Sequence, residues 1–332
     1  MSEETIVTEN ILHEQPILEK YSYSKIACYG QCKFKFLSHY LEKNYIFSDS
    51  VATEFGTAIH EAEESIAIAI RDGCPIDYKT IKNKFIIKCH KIAHKYPEEF
   101  FKEDKSARTY QQKMYAYLDA AIYRLEKFMS ANPQLEIIGI EQKFEYDYDG
   151  VHSFTGSIDR AFRDKQTGDI LIQDIKSWSK PATDSDLKAP AQFTVYTMAA
   201  NKLWGIPITN IRCEYDLPLC DTTQSCLAED IVAEGTPQLD KWFAGIAKKD
   251  FKPTVSALCH WCNYNPLVNT TLLNTKPGAI CPYFSTWQKS GDKVQDTLFK
   301  WEGLENIEVD RQLLISQLKQ GQQNLNIQGD LS

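Results

Sequence analysis

Apolar positions recur every three or four residues in the first third of this chain and every second residue in its middle. The pattern predicts helices followed by a sheet. Ile26, Phe34, Leu37 and Leu41 form a helical stripe over residues 25–45, with Ser24 as N-cap and a break near Gly30. Ile59, Ala62, Ile66 and Ile70 form a clearer stripe over residues 57–70, ended by Gly73 and Pro75. A third helix is capped by Asp77 or Thr80 and runs to about residue 96. A long fourth spans residues 107–129, aligns Tyr115, Leu118, Ile122, Leu125 and Met129, and stops at Asn132-Pro133.

From residue 135 the period becomes two. Residues 135–148 and 151–163 alternate and meet at Asp149-Gly150, a hairpin signal. A turn over 164–168 leads to a third strand over 170–178. Helix returns over 191–203 and strand over 208–217; 227–249 is helical in its later part, interrupted by Gly235 and Pro237. The chain then reads as a Cys-bearing loop through Pro282, with a last helix over 309–318. This order predicts an α+β (α/β) fold, a central mixed β-sheet flanked by helices. Residues 1–20 read as a flexible arm, 21–285 as one domain with a helical insertion at about 57–131, and 286–332 as an appendage.

Composition is that of an ordinary globular protein, with 43% hydrophobic and 25% charged residues, and 17 Tyr, 16 Phe and 6 Trp for the core. A net charge of −8 argues against a surface coated for non-specific nucleic-acid binding. It does not exclude a local basic groove, and Lys33, Lys35, Lys43 and the lysines between 79 and 95 make the first third comparatively basic. No basic stretch followed by an apolar run opens the chain, and no segment approaches the ~18 apolar residues of a membrane span. The reading is a cytoplasmic chain without a membrane partner. In a reducing compartment its 10 cysteines suggest metal ligands or inert core thiols more than disulfides.

The chemistry concentrates where the third strand ends in Asp174-Ile175-Lys176. Residues two apart on a strand share a face, so Asp174 and Lys176 project into one volume. Asp159, in Gly156-Ser157-Ile158-Asp159-Arg160, ends the preceding strand, and hairpin pairing brings it beside Asp174. Glu141 lies on the strand before. His60 and Glu64 share a helix face upstream, and Gln192 and Tyr196 share a face of the helix that follows. Two acids and a lysine are the parts of a metal-dependent phosphodiester-cleaving site, although Asp-x-Lys alone also describes a strand end with solvated charges. A hard Mg²⁺ or Mn²⁺ takes carboxylate and carbonyl oxygens and tolerates one imidazole.

Five ordered segments together resemble the RecB-like exonuclease branch of the PD-(D/E)XK nuclease superfamily. They are Tyr23-Ser24-Lys25 with Cys32-Lys33-Phe34-Lys35-Phe36, Phe55-Gly56-Thr57-Ala58-Ile59-His60-Glu61, the Asp159 and Asp174 segments, and Gln192-Phe193-Thr194-Val195-Tyr196. The resemblance runs from about Tyr21 to Cys281 and implies a restriction-endonuclease-like core with an N-terminal helical region. It implies His60, Asp159, Asp174 and the backbone carbonyl of Ile175 as ligands of Mg²⁺ or Mn²⁺. Lys176 would position or activate the attacking water, Glu141 would join the metal through water or a second ion, and Gln192 and Tyr196 would brace the site or touch the DNA backbone.

Cys259-His260-Trp261-Cys262 is a ligand signal in its own right. An iron–sulfur subset of the same family holds a [4Fe–4S] cluster with one N-terminal and three C-terminal cysteines. The resemblance places Cys32, Cys259 and Cys262 in that set, with Cys281 as the fourth after an unusually long gap and Cys28 as an alternate to Cys32. Four thiolates also satisfy a tetrahedral Zn²⁺. Cys74, Cys89, Cys213, Cys220 and Cys226 have no partner pattern and read as ordinary thiols.

The activity expected is a metal-dependent DNA exonuclease acting on single-stranded ends, with Tyr21, Tyr23, Phe34 and Tyr40 as candidates for base stacking. The chain has no Gly-x-x-x-x-Gly-Lys-[Ser/Thr] loop, so unwinding would fall to a separate helicase or recombination protein. Recombination, repair or end processing in a bacterial or phage-infected cell follows by analogy. A CRISPR-type spacer-processing nuclease and a non-catalytic DNA-binding subunit of a helicase–nuclease complex are the alternatives.

Overall fold

The structure is a computed structural model. It describes residues 19–46, 50–104, 107–188, 190–254, 256, 258–259, 262–265, 269 and 281, and the backbone of 285–290 and 293–298. The arm over 1–18 and the helix expected at 309–318 lie outside the described residues.

The strands are β1 (Glu19–Tyr21), β2 (Leu135–Asp147), β3 (His152–Asp164), β4 (Ile170–Ile175), β5 (Ile211–Leu217), β6 (Thr222–Ser225), β7 (Ser285–Ser290) and β8 (Lys293–Leu298). The helices are α1 (Tyr23–Gln31), α2 (Lys33–Phe36), α3 (Val51–Arg71), α4 (Tyr78–Lys95), α5 (Pro97–Phe101), α6 (Tyr110–Asp119), α7 (Arg124–Ala131), α8 (Asp184–Leu187), α9 (Ala191–Trp204) and α10 (Ile231–Ala247).

Six strands form one mixed sheet, as expected. β2 runs antiparallel along one edge of β3, from Leu135 opposite Asp164 to Asp147 opposite Ser153. On the other edge of β3, β1 pairs parallel with its start and β4 antiparallel with its end, where Arg160 faces Gln173. β5 continues parallel to β4, with Asp174 opposite Tyr215, and the connection between them carries α9. β6 closes the edge, and β7 pairs with β8 as a separate hairpin.

The side-chain alternation of β4 divides the core in two. Ile170 and Ile172 face α1, α9 and α10, whereas Ile175 and Leu171 face α3 to α7. Each fully buried Ile or Phe in these layers contributes roughly 1.5–3 kcal/mol. Asp174 continues the Ile170–Ile172 face, so it emerges on the α9 side at the strand's end.

Several elements depart from the sequence reading, each for a local reason. The first helix is capped by Ser22, whose hydroxyl accepts from the Lys25 N–H at 3.2 Å, and not by Ser24. It breaks at Cys32, which is extended, and not at Gly30. Gly30 lies inside α1 where α10 approaches, and a Cβ there would collide with the Trp242 ring. Gly235 likewise lies inside α10, where a Cβ would strike Thr194 of α9, and Pro237 is accommodated in the same helix. The long helix expected over 107–129 is two helices, α6 and α7, joined by a 3₁₀ turn at Ala121–Tyr123. Glu19 and Lys20 are not arm but strand; Tyr21 anchors them, its ring edge-on to Phe243 and His152.

Candidate active site

Asp159 lies within β3 and not at its end, and the register that sets Arg160 opposite Gln173 puts it beside Asp174 at the end of β4; both emerge on the same side of the sheet, and His60 of α3 reaches them from the other layer. His60 Nε2 lies 2.9 Å from the Ile175 carbonyl oxygen, and its Nδ1 lies 3.7 Å from Asp159 Oδ2 and 3.9 Å from Glu141 Oε1. Asp159 Oδ2 accepts the Ile175 N–H at 2.8 Å, which ties the two strands at the site. Glu141 holds φ +44°, the left-handed region that a Glu rarely adopts. That distortion within β2 accompanies a carboxylate that accepts from Ser157 Oγ at 3.0 Å and borders His60.

One ligand atom each from His60, Glu141 and Asp159 lies within 4.8 Å of the others. Ligands on a six-coordinate Mg²⁺ at ~2.1 Å stand about 3–4 Å apart, so small side-chain movements close this group on one cation. The donors are two carboxylates and an imidazole, a set suited to Mg²⁺ or Mn²⁺.

Asp174 stands in a second cluster alongside. Its Oδ2 meets Lys176 Nζ at 2.7 Å, and its Oδ1 accepts from Gln192 Nε2 at 2.9 Å. Oδ2 is buried and lacks a well-aligned hydrogen bond, so it keeps acceptor capacity for a cation. Gln192 also accepts from Lys176 Nζ through Oε1 at 3.2 Å and touches the Tyr196 hydroxyl at 3.0 Å. One amide of α9 therefore holds both the acid and the lysine.

The electrostatics are those of a site built to receive positive charge. Burial and the neighbouring Asp174 charge push the Asp159 carboxyl up to about 6 against the opposing pull of His60. Burial also raises Asp174, with Lys176 opposing. Burial works against protonating His60, but Glu141, Asp159 and Asp174 outweigh it and raise its pKa. Two buried acids with raised pKa values and a cation-prone imidazole in one pocket are what a divalent ion relieves.

His60, Glu141, Asp159, Asp174, Ile175, Lys176, Gln192 and Tyr196, the residues the sequence offers for this site, are brought together by the structure. Glu64 is not; it is Glu63, three residues from His60, that turns inward. Glu63 belongs to a buried network beneath the site that sequence reading missed. Arg160, beside Asp159, donates to Glu63 at 3.0 Å, twice to Gln173 Oε1 at 3.0 and 2.8 Å, and to Asp216. Tyr117 donates to Glu63 at 2.9 Å and Arg124 to Asp216 at 3.0 Å. Arg160, Glu63, Gln173 and Asp216 are each nearly sealed from solvent. Arg160 takes the alternate position between Ile158 and Phe162, and a charge at such an apolar-flanked position was the available signal, because a buried charge requires a partner.

The five candidate ligand cysteines border two neighbouring cavities. Cys32, Cys259, Cys262 and Cys281 line one cavity of about 220 Å³. Cys28 lines a different one, the groove next to Lys176.

The fold and the site define a nuclease. A family model for the PD-(D/E)XK nuclease superfamily matches residues 20–267, and the chain belongs to that superfamily. Its members generally use Mg²⁺ or Mn²⁺. No curated protein matches the chain. Among the described residues no helix is long and apolar enough to cross a membrane.

Proposed function

We propose that this chain is a Mg²⁺- or Mn²⁺-dependent DNA exonuclease of the RecB-like branch, acting on single-stranded ends in recombination, repair or end processing. The observation that carries this reading is the convergence of Asp159 from within β3 with Asp174 and Lys176 at the end of β4, with His60 and Glu141 closing on Asp159. His60, Glu141 and Asp159 would hold the ion, with Asp174 and the Ile175 carbonyl alongside. The bound ion supplies Lewis-acid stabilisation of the phosphate and lowers the pKa of water. Lys176, steered by Asp174 and Gln192, presents its ammonium to the charge that builds on the phosphoryl oxygens. Gln192 fixes that ammonium's direction, and Tyr196 fixes Gln192.

The test compares end-labelled linear single-stranded DNA with a covalently closed single-stranded circle, in Mg²⁺ or Mn²⁺. Wild type is expected to shorten the linear strand from an end and leave the circle intact, and Asp174→Asn to degrade neither. Cutting of the circle at the linear rate would defeat the exonuclease assignment; absent or equal degradation by both proteins would defeat the nuclease one.

The second part of the proposal is a [4Fe–4S] cluster on Cys32, Cys259, Cys262 and Cys281. Four thiols around one cavity match the donor set of a cubane. A tetrahedral zinc would draw its sulfurs to roughly 3.8 Å. A tetrahedral Zn²⁺ on the same four thiolates is the alternative. Gln31 and Lys35 border both this cavity and the groove at Lys176, so the thiol site would brace that wall. Protein purified anaerobically is expected to be brown, absorb near ~400 nm and lose its iron in Cys32→Ser. A colourless protein containing zinc alone, or neither metal, would refute the cluster.

A further inference from the structure

The candidate site opens into a groove of about 540 Å³ that begins at Lys176 and Gln192. Tyr23, Ala27 and Gln31 line it at four-residue spacing, so it follows one face of α1. The eight steps from Tyr23 to Gln31 rise about 12 Å, the length of roughly three stacked nucleotides at ~3.4 Å each. Beyond α1 the groove passes Lys35, His39 and Tyr40, with Tyr264 also in its lining.

We propose that this groove is a track for an unpaired nucleic-acid strand, which stacks bases on Tyr40, His39 and Tyr23 and places phosphates against Lys35 on its way to Lys176. The assignment rests on the nuclease reading above and specifies the form of substrate that the site admits.

Three observations carry it. The first is charge. The chain's net charge is −8, yet the groove's described lining contains Lys35 and Lys176 and no carboxylate. A lining without acids in so acidic a chain matches a polyanion. The second is the state of the rings. Tyr23, His39 and Tyr40 are each only partly buried, unlike Tyr21 and Phe34, which are core. Tyr40 leans on the buried Phe36 with ring centroids 5.5 Å apart, and His39 meets Tyr40 edge-on at 4.6 Å. Tyr40 is therefore held in place by the core, and Tyr23, His39 and Tyr40 each line the groove while only partly buried. Such platforms bind the faces of bases, which pairing and stacking conceal in a duplex. The third is continuity, because the groove ends on the lysine and amide that flank Asp174.

Fluorescence anisotropy with labelled oligothymidylate, an abasic strand of equal length and the matching duplex, all in Ca²⁺, tests the assignment. Wild type is expected to bind the oligothymidylate about tenfold or more tightly than either competitor, since each base–aromatic stack is worth about 1–3 kcal/mol. Tyr40→Leu is expected to lose that preference for bases, and Tyr40→Trp to keep it. Lys35→Ala is expected to weaken the normal and abasic strands alike and to reduce the salt slope by about 1. Tyr40→Leu that still prefers bases as wild type does, or a duplex bound as tightly as the single strand, would overturn the track. The two readings fail separately. Strand binding with the expected base preference, but without cleavage in Mg²⁺ or Mn²⁺, supports the track and defeats the nuclease; cleavage by a protein indifferent to bases does the reverse.

Discussion

Asp159→Asn is expected to cut metal-dependent cleavage by a thousandfold or more while raising the melting temperature of the metal-free protein at pH 7.5. The first effect follows from removing a charged donor from the His60–Glu141–Asp159 group. Several kcal/mol of charge stabilisation depend on the cation, and ~4 kcal/mol is about a thousandfold in rate. The second effect follows from linkage. The folded state raises the Asp159 carboxyl from 3.8 to about 6. Its stabilising contribution is complete below the unfolded value and is lost as pH rises through about 6. At pH 7.5 the ionised group therefore costs stability, on the order of 2–3 kcal/mol for a shift of this size. Asn keeps the shape and still accepts the Ile175 N–H, but carries no charge. Melting curves in EDTA at pH 7.5 and pH 4 measure the effect: a gain of several degrees at the higher pH and none at the lower. A melting temperature that falls at pH 7.5, or cleavage within tenfold of wild type, would contradict the role given to this acid.

Arg160→Met is expected to destabilise the fold by about 3–5 kcal/mol, as measured by the midpoint of urea unfolding. The guanidinium serves Glu63, Gln173 and Asp216 at once in a sealed compartment. Without it, Glu63 and Asp216 keep Tyr117 and Arg124 but lose their shared cation. Burial already raises the Glu63 carboxyl, with Arg160 as the chief opposing charge, and its loss drives Glu63 further toward protonation. Arg160→Lys is not a rescue, because one ammonium cannot reproduce a fork that reaches three partners. Since Arg160 adjoins Asp159 and Gln173 adjoins Asp174, the network also holds β3 and β4 in register beneath the site. An unfolding midpoint equal to wild type in Arg160→Met would show that the network carries no such load.

How much of this was legible in the sequence depended on the range of the interaction. Strand alternation is local, so the Asp149-Gly150 hairpin and the shared face of Asp174 and Lys176 could be read directly. The helix face of Gln192 and Tyr196 was equally local, and the two side chains meet. The resemblance supplied His60, whose link to Ile175 spans 115 positions and has no local signature. Glu63 was missed because spacing of three and of four are both near one helical turn, and only the position of Arg160 decides which acid is buried. Gly30 and Gly235 were misread as breaks because a glycine that admits a neighbouring helix looks, in sequence, like one that ends its own. β1 and the polar edge strand β6 are short and lack alternation; they exist because the sheet offers them hydrogen-bonding partners.

The most direct test of the central claim is Mn²⁺ binding to the wild-type protein, followed by electron paramagnetic resonance as pH is varied. At pH 7.5 one tightly bound ion per chain is expected, with hyperfine broadening from an imidazole nitrogen that disappears in His60→Ala. Binding should weaken as pH falls through about 6, where Asp159 takes up its proton. An ion that binds equally well at pH 5, or whose signal is indifferent to His60 and Asp159, would contradict the account.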